Sequence, residues 1–468
     1  MLLGTDMTDL IDQLVALLGE NGVFHGKRLK ERHFPSAFDF EVTDVEPLAL
    51  VRPTSTEEVS AFMKICHAQG RAVVPHGGLT GLVDGTTSGK SEVAITLERM
   101  NKIEEIDAES RTMIVQAGVP LQQVQEQAEN QGLFFPLDLG ARGTATIGGN
   151  VSTNAGGNRV IRYGMMRDQI LGMEIVLADG TIISSMNKVI KNNTGYDLKQ
   201  LFVGAEGTLG IVTRLVLRLR PMPVSQDMAL IGVNDFSQVT AFLNYIDSAL
   251  GGTLSAFEVL WKDYYKLVTS PPAESAPPIS HDYNYYILLE AMGGDPQSDA
   301  DRFVEVLSKS LEDELIADAA VAQSQAERDA MWAIRDDVGQ TGQNWPIFTY
   351  DISVSLNKME SYVKELRDDL NNQWADNTCM IFGHLGDGNL HVIVGVGDES
   401  AEARKAVSET VYRGLTSRGG SISAEHGIGL QKRNYLSWSR SEEEIALMSS
   451  IKKMLDPKNI MNPGKIFT

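Results

Sequence analysis

Three histidines fall in two short glycine-rich segments, Gly383-His384-Leu385-Gly386-Asp387-Gly388-Asn389-Leu390-His391 and Ala424-Glu425-His426-Gly427-Ile428-Gly429. Two imidazoles on a loop entering a strand, with a Glu-His pair supplied from elsewhere, make a set of three protein ligands for a divalent cation with one position left open. That is the form of a catalytic metal site. The chain has eight histidines, and any one alone would read as a satisfied core residue, so the clustering carries the inference. His-Glu-x-x-His and His-x-x-Glu-His are both absent, which disfavours a helix-borne peptidase site.

A second chemistry is written in glycines. A strand runs into Pro75-His76-Gly77-Gly78-Leu79-Thr80-Gly81, where backbone N–H groups reach an approaching anion without side-chain obstruction. The order is not that of the Rossmann fingerprint, and no clear helix follows. Gly140 to Gly157 adds six glycines and several small hydroxyl or amide side chains in eighteen residues, and Gly204-Ala205-Glu206-Gly207-Thr208-Leu209-Gly210 adds a third cluster. Such segments make a poor core and a good surface for a long, flat, polar cofactor bearing phosphates. Arg335, in Trp332-Ala333-Ile334-Arg335-Asp336-Asp337, reads either as a helix-surface arginine paired with a neighbouring aspartate or as a bidentate carboxylate clamp.

The elements that must position these residues are an α+β mixture. Residues 8–22 carry apolar side chains at helical spacing. A strand at Leu48–Val51 precedes a helix opened by the capping-box spacing Thr54 to Glu57 and closed at Gly70. Strands follow at 72–74, 93–97, 112–119, 173–177 and 182–184, the last two joined by an Asp179-Gly180 turn. A long strand, Ile211–Leu219, is stopped by Pro221 and Pro223, which sets a domain boundary. Beyond it, a strand at 228–233, helices from Ser237, at 298–315 and at 324–337, strands at Phe348–Leu356, Cys379–Phe382 and Leu390–Val396, and a proline-rich surface loop at 270–280 are expected. Ser441 and Glu444 cap a last helix ended by Pro457.

At 468 residues, two or three domains are expected. The formal charge of -21 makes nucleic acid an improbable partner. Two cysteines exclude a disulfide framework and suggest a reducing, cytoplasmic compartment. No secretion signal or membrane span is expected, and either Met1 or Met7 serves as a start.

The ordered set Gly77-Gly78-x-Thr80-Gly81-Leu82, Asp138-Leu139-Gly140, Ile147-Gly148-Gly149-Asn150, Asn154-Ala155-Gly156-Gly157, Arg162-Tyr163-Gly164, Asn193-Thr194-Gly195-Tyr196-Asp197-Leu198, Gly204-x-Glu206-Gly207-Thr208-Leu209-Gly210, the two histidine motifs and Asn462-Pro463-Gly464-Lys465 resembles the vanillyl-alcohol-oxidase-type flavoproteins. Within them it is similar to the FAD-linked D-2-hydroxyacid dehydrogenases, whose branches act on D-2-hydroxyglutarate, D-lactate and glycolate. The resemblance spans residues 46–468.

The helical spacing at 8–22 makes 1–45 a helical leader, and the resemblance implies a two-subdomain FAD-binding domain at 46–222, an α+β cap domain with an antiparallel sheet at 223–415, and a segment at 416–468 that returns to the flavin. FAD would be held by Pro75, Gly77, Gly78, Leu79, Thr80, Gly81, Leu82, Asp138, Gly143, Thr144, Thr146, Ile147, Gly148, Asn150, Thr153, Asn154, Glu206, Gly210, Ile211 and Asn462. Covalent members have a histidine where this chain has Leu79, so non-covalent FAD is expected. The resemblance assigns His384, His391 and Glu425 to a divalent metal, zinc first with manganese, cobalt and iron as alternatives, His426 as general base and Arg335 as carboxylate anchor. The metal would lower the pKa of the 2-hydroxyl, His426 would take its proton, and the Cα hydride would pass to flavin N5. Electrons would leave to an electron-transfer flavoprotein or a quinone. Oligomeric state stays open, a homodimer among the choices.

Departures bear on the substrate. The hydroxyglutarate branch reads Lys-Tyr-Asp where this chain has Thr349-Tyr350-Asp351, a threonine where it has Gly339, and an asparagine where it has Ile393. Losing three polar groups would leave a second carboxylate partly unpaired, so a D-2-hydroxy monocarboxylate, D-lactate or a more apolar analogue, is expected. The alternatives are D-2-hydroxyglutarate or D-malate held by Arg71, Arg142 or another unmatched cation, a non-catalytic flavin-binding subunit of an oxidase assembly, and, least favoured, a metal-dependent hydrolase.

Overall fold

A computed structural model describes residues 3–32 and 46–467, with the side chains of 3–8 outside that description. The latter part of the expected leader, 33–45, and Met1 therefore lie outside the described residues. The chain divides into two compact units, one made of residues 1–156, 165–222 and 425–468, the other of 157–164 and 223–424.

The first unit carries two main sheets and a two-stranded one that pairs Leu133–Phe134 with Arg220–Pro221. Four strands run in the order Val23–Phe24, Ala49–Val51, Val93–Thr96, Val73–His76, the last three parallel. Five antiparallel strands run in the order Ile103–Asp107, Thr112–Gln116, Ile211–Arg218, Ile170–Val176, Ile182–Ser185. The N-terminal helix, Leu3–Leu18, is no detached leader: Leu10 and Leu14 are fully buried in the same core as Val59, Phe62, Met63 and Val93. Burial of a leucine is worth about 1.5–3 kcal/mol relative to leaving it exposed, enough to bind this helix to the unit. The helix Thr56–Gln69 is capped one residue later than the spacing suggests. Ser55 accepts from the Glu58 N–H while the Glu58 carboxylate accepts from the Thr54 N–H, and Gly70 closes the helix at φ 63°.

The second unit is built on one seven-stranded sheet, antiparallel throughout. Its order is Asp318–Val321, Ser225–Val233, Tyr285–Gly293, Leu254–Trp261, Thr378–His384, Asn389–Gly395, Ile347–Ser353. The strand expected at Phe348–Leu356 stops at Ser353, because Leu356 opens the helix Leu356–Gln373, whose Met359, Tyr362, Val363, Leu366 and Leu370 bury at helical spacing. The strands Leu254–Trp261 and Tyr285–Gly293 escape a period-two reading because nearly every residue in them is buried. A mixed α+β architecture with an antiparallel second sheet is the observed class. Among the described residues, no helix is long and apolar enough to cross a membrane.

Candidate functional site

In the first unit the glycine-rich segments meet backbone to backbone. A Cβ on Gly78 would lie 2.0 Å from the Thr144 carbonyl oxygen, and one on Gly77 would lie 3.1 Å from Gly149 Cα. Thr146 caps the short helix Ile147–Ser152, its hydroxyl accepting from the Gly149 N–H. Gly148 lies against Ala117, and the Thr153 hydroxyl donates to the Gly149 carbonyl. Leu79 and Asn154 hold left-handed backbone, at φ 57° and 50°. Asn154 accepts the Arg167 N–H through its side-chain oxygen. Thr80, Gly81, Leu82, Gly143 and Thr144 are exposed along one rim, and Asp138 is 3.9 Å from Arg142. Pro75 packs against Gly207, whereas the Ile211 side chain points into the core and the bare face of Gly210 meets Ile175 and Val176.

Among the buried side-chain atoms of this unit that meet no hydrogen-bond partner in the described residues are Asn150 Nδ2, on the helix of the second glycine-rich segment, and Asn462 Oδ1. A buried polar atom left unpaired costs about 1–3 kcal/mol. A polar dinucleotide offering acceptors to Asn150 and a donor to Asn462 removes that cost, so these residues fit FAD. The other half of the Asn462 amide is fixed, since Nδ2 donates to the Gly85 and Glu206 carbonyls. His76 beside this loop is buried, its Nε2 lies 2.9 Å from the Thr86 carbonyl, and burial holds its pKa down at about 4. Gly78→Ala is expected to yield protein that purifies without flavin, because the new methyl group overlaps the Thr144 carbonyl. The ratio of visible to ultraviolet absorbance reads this out, and a fully yellow variant would contradict it.

Glu206 has a role that spacing does not reveal. Its carboxylate accepts from the N–H groups of both Ile428 and Gly429, at 2.7 and 2.8 Å, and a Cβ on Gly427 would strike it. Burial pushes this carboxyl up while the two N–H groups draw it down. The loop that follows Glu425 and His426 is thereby clamped to the third glycine cluster.

In the second unit, one sheet face gathers His384 and His391 with Glu258 and Asp351. Register pairs Glu258 with His384, Phe382 with His391, Met380 with Ile393, Asp351 with His391 and Thr349 with Ile393. Alternation then sets His384, His391, Asp351 and Glu258 at one end of the face, with Phe382, Met380, Ile393 and Thr349 beyond them. The ligand nitrogens of His384 and His391 lie within 4.8 Å of each other, and His391 Nδ1 is 4.0 Å from Asp351. His384 Nδ1 is 2.6 Å from Glu258 Oε1, so Nε2 is the nitrogen that a cation could take, and a carboxylate behind the imidazole is what a metal-binding histidine ordinarily has. These residues fit a divalent cation.

Arg335 closes the helix Gln325–Asp336 and is buried, not on the helix surface. Its Nε donates to Glu258 at 2.8 Å, its Nη2 lies 3.2 Å from His384 Nε2, and it stacks over Phe382. Burial alone would push the Glu258 carboxyl up, but His384 and Arg335 outweigh it and hold it well below the usual range. Asp351, also fully buried, accepts from Asn389 Nδ2 and from the Ala424 N–H. Glu425 and His426 are the next two residues along the chain from Ala424. Glu258 was missed in the sequence. Its signal was present, a single charge in the otherwise uncharged buried strand Leu254–Trp261, a placement too costly without partners.

Residues 47–185 match the family described as FAD binding domain, and residues 222–466 the family described as FAD linked oxidases, C-terminal domain. The chain is 39% identical over 418 residues, covering 89% of it and 74% of the relative, to a protein of Arabidopsis thaliana named D-2-hydroxyglutarate dehydrogenase, mitochondrial. It is 36% identical over 475 residues, covering 98% and 100%, to D-2-hydroxyglutarate dehydrogenase of Stutzerimonas stutzeri (strain A1501). Among solved structures, p-cresol methylhydroxylase aligns with a TM-score of 0.77 at 16% identity over 99% of this chain and 97% of that one. Alkyldihydroxyacetonephosphate synthase aligns with a TM-score of 0.75 at 19% identity over 97% and 84%. At those identities the solved structures speak for the fold alone.

Proposed function

The chain belongs to the FAD-linked oxidase family, and we propose that it oxidises a D-2-hydroxy monocarboxylate, D-lactate or a more apolar analogue, with the help of a divalent cation. FAD-dependent oxidation of a D-2-hydroxy acid to the 2-oxo acid is the coarser statement, and it stands on the family itself. Bound FAD supplies the acceptor for the Cα hydride, and a bound cation supplies a Lewis acid that lowers the pKa of the 2-hydroxyl.

The chain's own residues do the rest. His384, His391 and Glu425 hold the cation, zinc being the first candidate for this donor set. His426 accepts the hydroxyl proton. Arg335 receives the substrate carboxylate through its planar N–H groups. The names of the relatives, dehydrogenases and not oxidases, support delivery of electrons to a carrier such as an electron-transfer flavoprotein or a quinone. A cytoplasmic location remains our reading of the cysteine content.

The observation that carries the substrate reading is the cross-strand pair Thr349 and Ile393. They share the face of His391, about 7 Å further along their strands, and Ile393 is only 2% exposed, packed against Tyr264, Phe382 and Met380. These are the positions where the hydroxyglutarate branch places a lysine and an asparagine, so here a second carboxylate would lack both of those polar partners. A second reading, D-2-hydroxyglutarate itself, is favoured by the names of the relatives. Its distal carboxylate would need another cation, yet Arg142 is near Asp138 and Arg71 donates to the Ser91 carbonyl.

Anaerobic flavin reduction by D- and L-lactate, malate, 2-hydroxyglutarate and a bulky 2-hydroxy acid separates the readings. Fastest reduction by a D-monocarboxylate is expected, and the double substitution Thr349→Lys, Ile393→Asn should shift kcat/KM toward D-2-hydroxyglutarate by about 10-fold or more. Fastest reduction of the unmodified enzyme by D-2-hydroxyglutarate would replace the first reading with the second. A flavin that no 2-hydroxy acid reduces would remove both.

A further inference from the structure

Glu258, Arg335 and His384 form a closed ring of three hydrogen bonds in the second unit. One carboxylate oxygen meets His384 Nδ1, the other meets Arg335 Nε, and Arg335 Nη2 meets His384 Nε2. Chemistry fixes the protons in this ring. A guanidinium N–H can only donate, so His384 Nε2 must be the bare nitrogen, and the imidazole proton sits on Nδ1 facing Glu258. The lone pair that Arg335 now occupies is the one a cation would take.

Resting on the metal-dependent reading above, we propose that Glu258 is a positioning residue that holds the metal ligand and the carboxylate anchor as one unit. It keeps His384 in the tautomer with Nε2 bare. It also keeps Arg335 in place through Nε, so that when a cation takes the His384 lone pair, Nη2 is released without loss of the guanidinium's position and can donate to the substrate carboxylate. The neighbours hold the ring in register: Glu258 and His384 are cross-strand partners, Tyr264 donates its hydroxyl to the Arg335 carbonyl, and Tyr264 stacks on Phe382 at 4.1 Å. Metal binding therefore precedes productive binding of the acid.

A built-in control lies one strand away. Glu290 is an equally buried carboxylate with its own arginine, Arg159, and with Ser255 and Gln226 as further partners. The test is titration of metal-stripped, flavin-loaded protein with Zn²⁺ against a competing fluorescent chelator. Glu258→Gln should weaken Zn²⁺ binding by about 10–100-fold, the range for loss of such an outer partner, while Glu290→Gln leaves it unchanged and both keep the flavin spectrum. Should Glu258→Gln fail to fold, Glu258→Asp keeps the charge, shortens the reach to both partners and is expected to weaken binding in the same direction. Wild-type affinity in the Glu258 variants, or equal weakening by Glu290→Gln, overturns the proposal. A wild-type enzyme that oxidises D-2-hydroxy acids yet binds no Zn²⁺, Mn²⁺ or Co²⁺ overturns the metal reading itself, and this proposal with it.

Discussion

His391→Ala is expected to reduce the rate of flavin reduction by the preferred D-2-hydroxy acid by about 10²–10⁴-fold, with flavin content intact. A Lewis acid at a reacting oxygen is worth several kcal/mol, and each 1.36 kcal/mol is a factor of ten. The imidazole sits on the face it shares with His384, beside a fully buried Asp351, whereas the glycine loops and orphaned amides that fit FAD belong to the other unit. Loss of chemistry without loss of colour is therefore the signature. Chelator treatment of the unmodified enzyme should reproduce it, and added Zn²⁺, Mn²⁺ or Co²⁺ should restore the rate. An active His391→Ala enzyme, or activity indifferent to chelation, would rule out the cation.

His426→Asn should lower kcat by about 10²–10⁴-fold, the usual worth of a positioned general base, and should do so without loss of metal. The pairing of Asp351 with His391 gives this experiment a second edge. If His426→Asn strips the metal, the histidine is a ligand and not the base, and the roles of Glu425 and His426 exchange.

How far the sequence could be read follows from what each signal depends on. The glycine loops were legible because close backbone approach is imposed by residue type: at Gly78 any Cβ collides with Thr144, so no other residue would serve. The histidines were legible because imidazoles are scarce and these are clustered. Arg335 was ambiguous because a helical arginine beside Asp336 and Asp337 reads equally as surface. Only the strand pairing Glu258 with His384 moves it inward, and strand pairing is a long-range fact. Thr349 and Ile393 could each be flagged, yet that they are neighbours depends on the register of two strands more than forty residues apart. The cap of the helix Thr56–Gln69 moved by one residue because Ser55 and Glu58 offer the same chemistry as Thr54 and Glu57.

The clamp of Glu206 on the Ile428 and Gly429 N–H groups bears on the order in which the protein can be made. The first unit buries Ile460 and Met461 in its core and draws Asn462 against Gly85 and Glu206, so it needs residues 425–468 to be complete. Those residues leave the ribosome only after all of the second unit has been synthesised. The seven-stranded sheet has its whole sequence available first, while the earlier-made sheets wait with part of their core unfilled. A ribosome that stalls within the second unit thus leaves a chain whose first unit still lacks the residues that fill its core and close on Glu206.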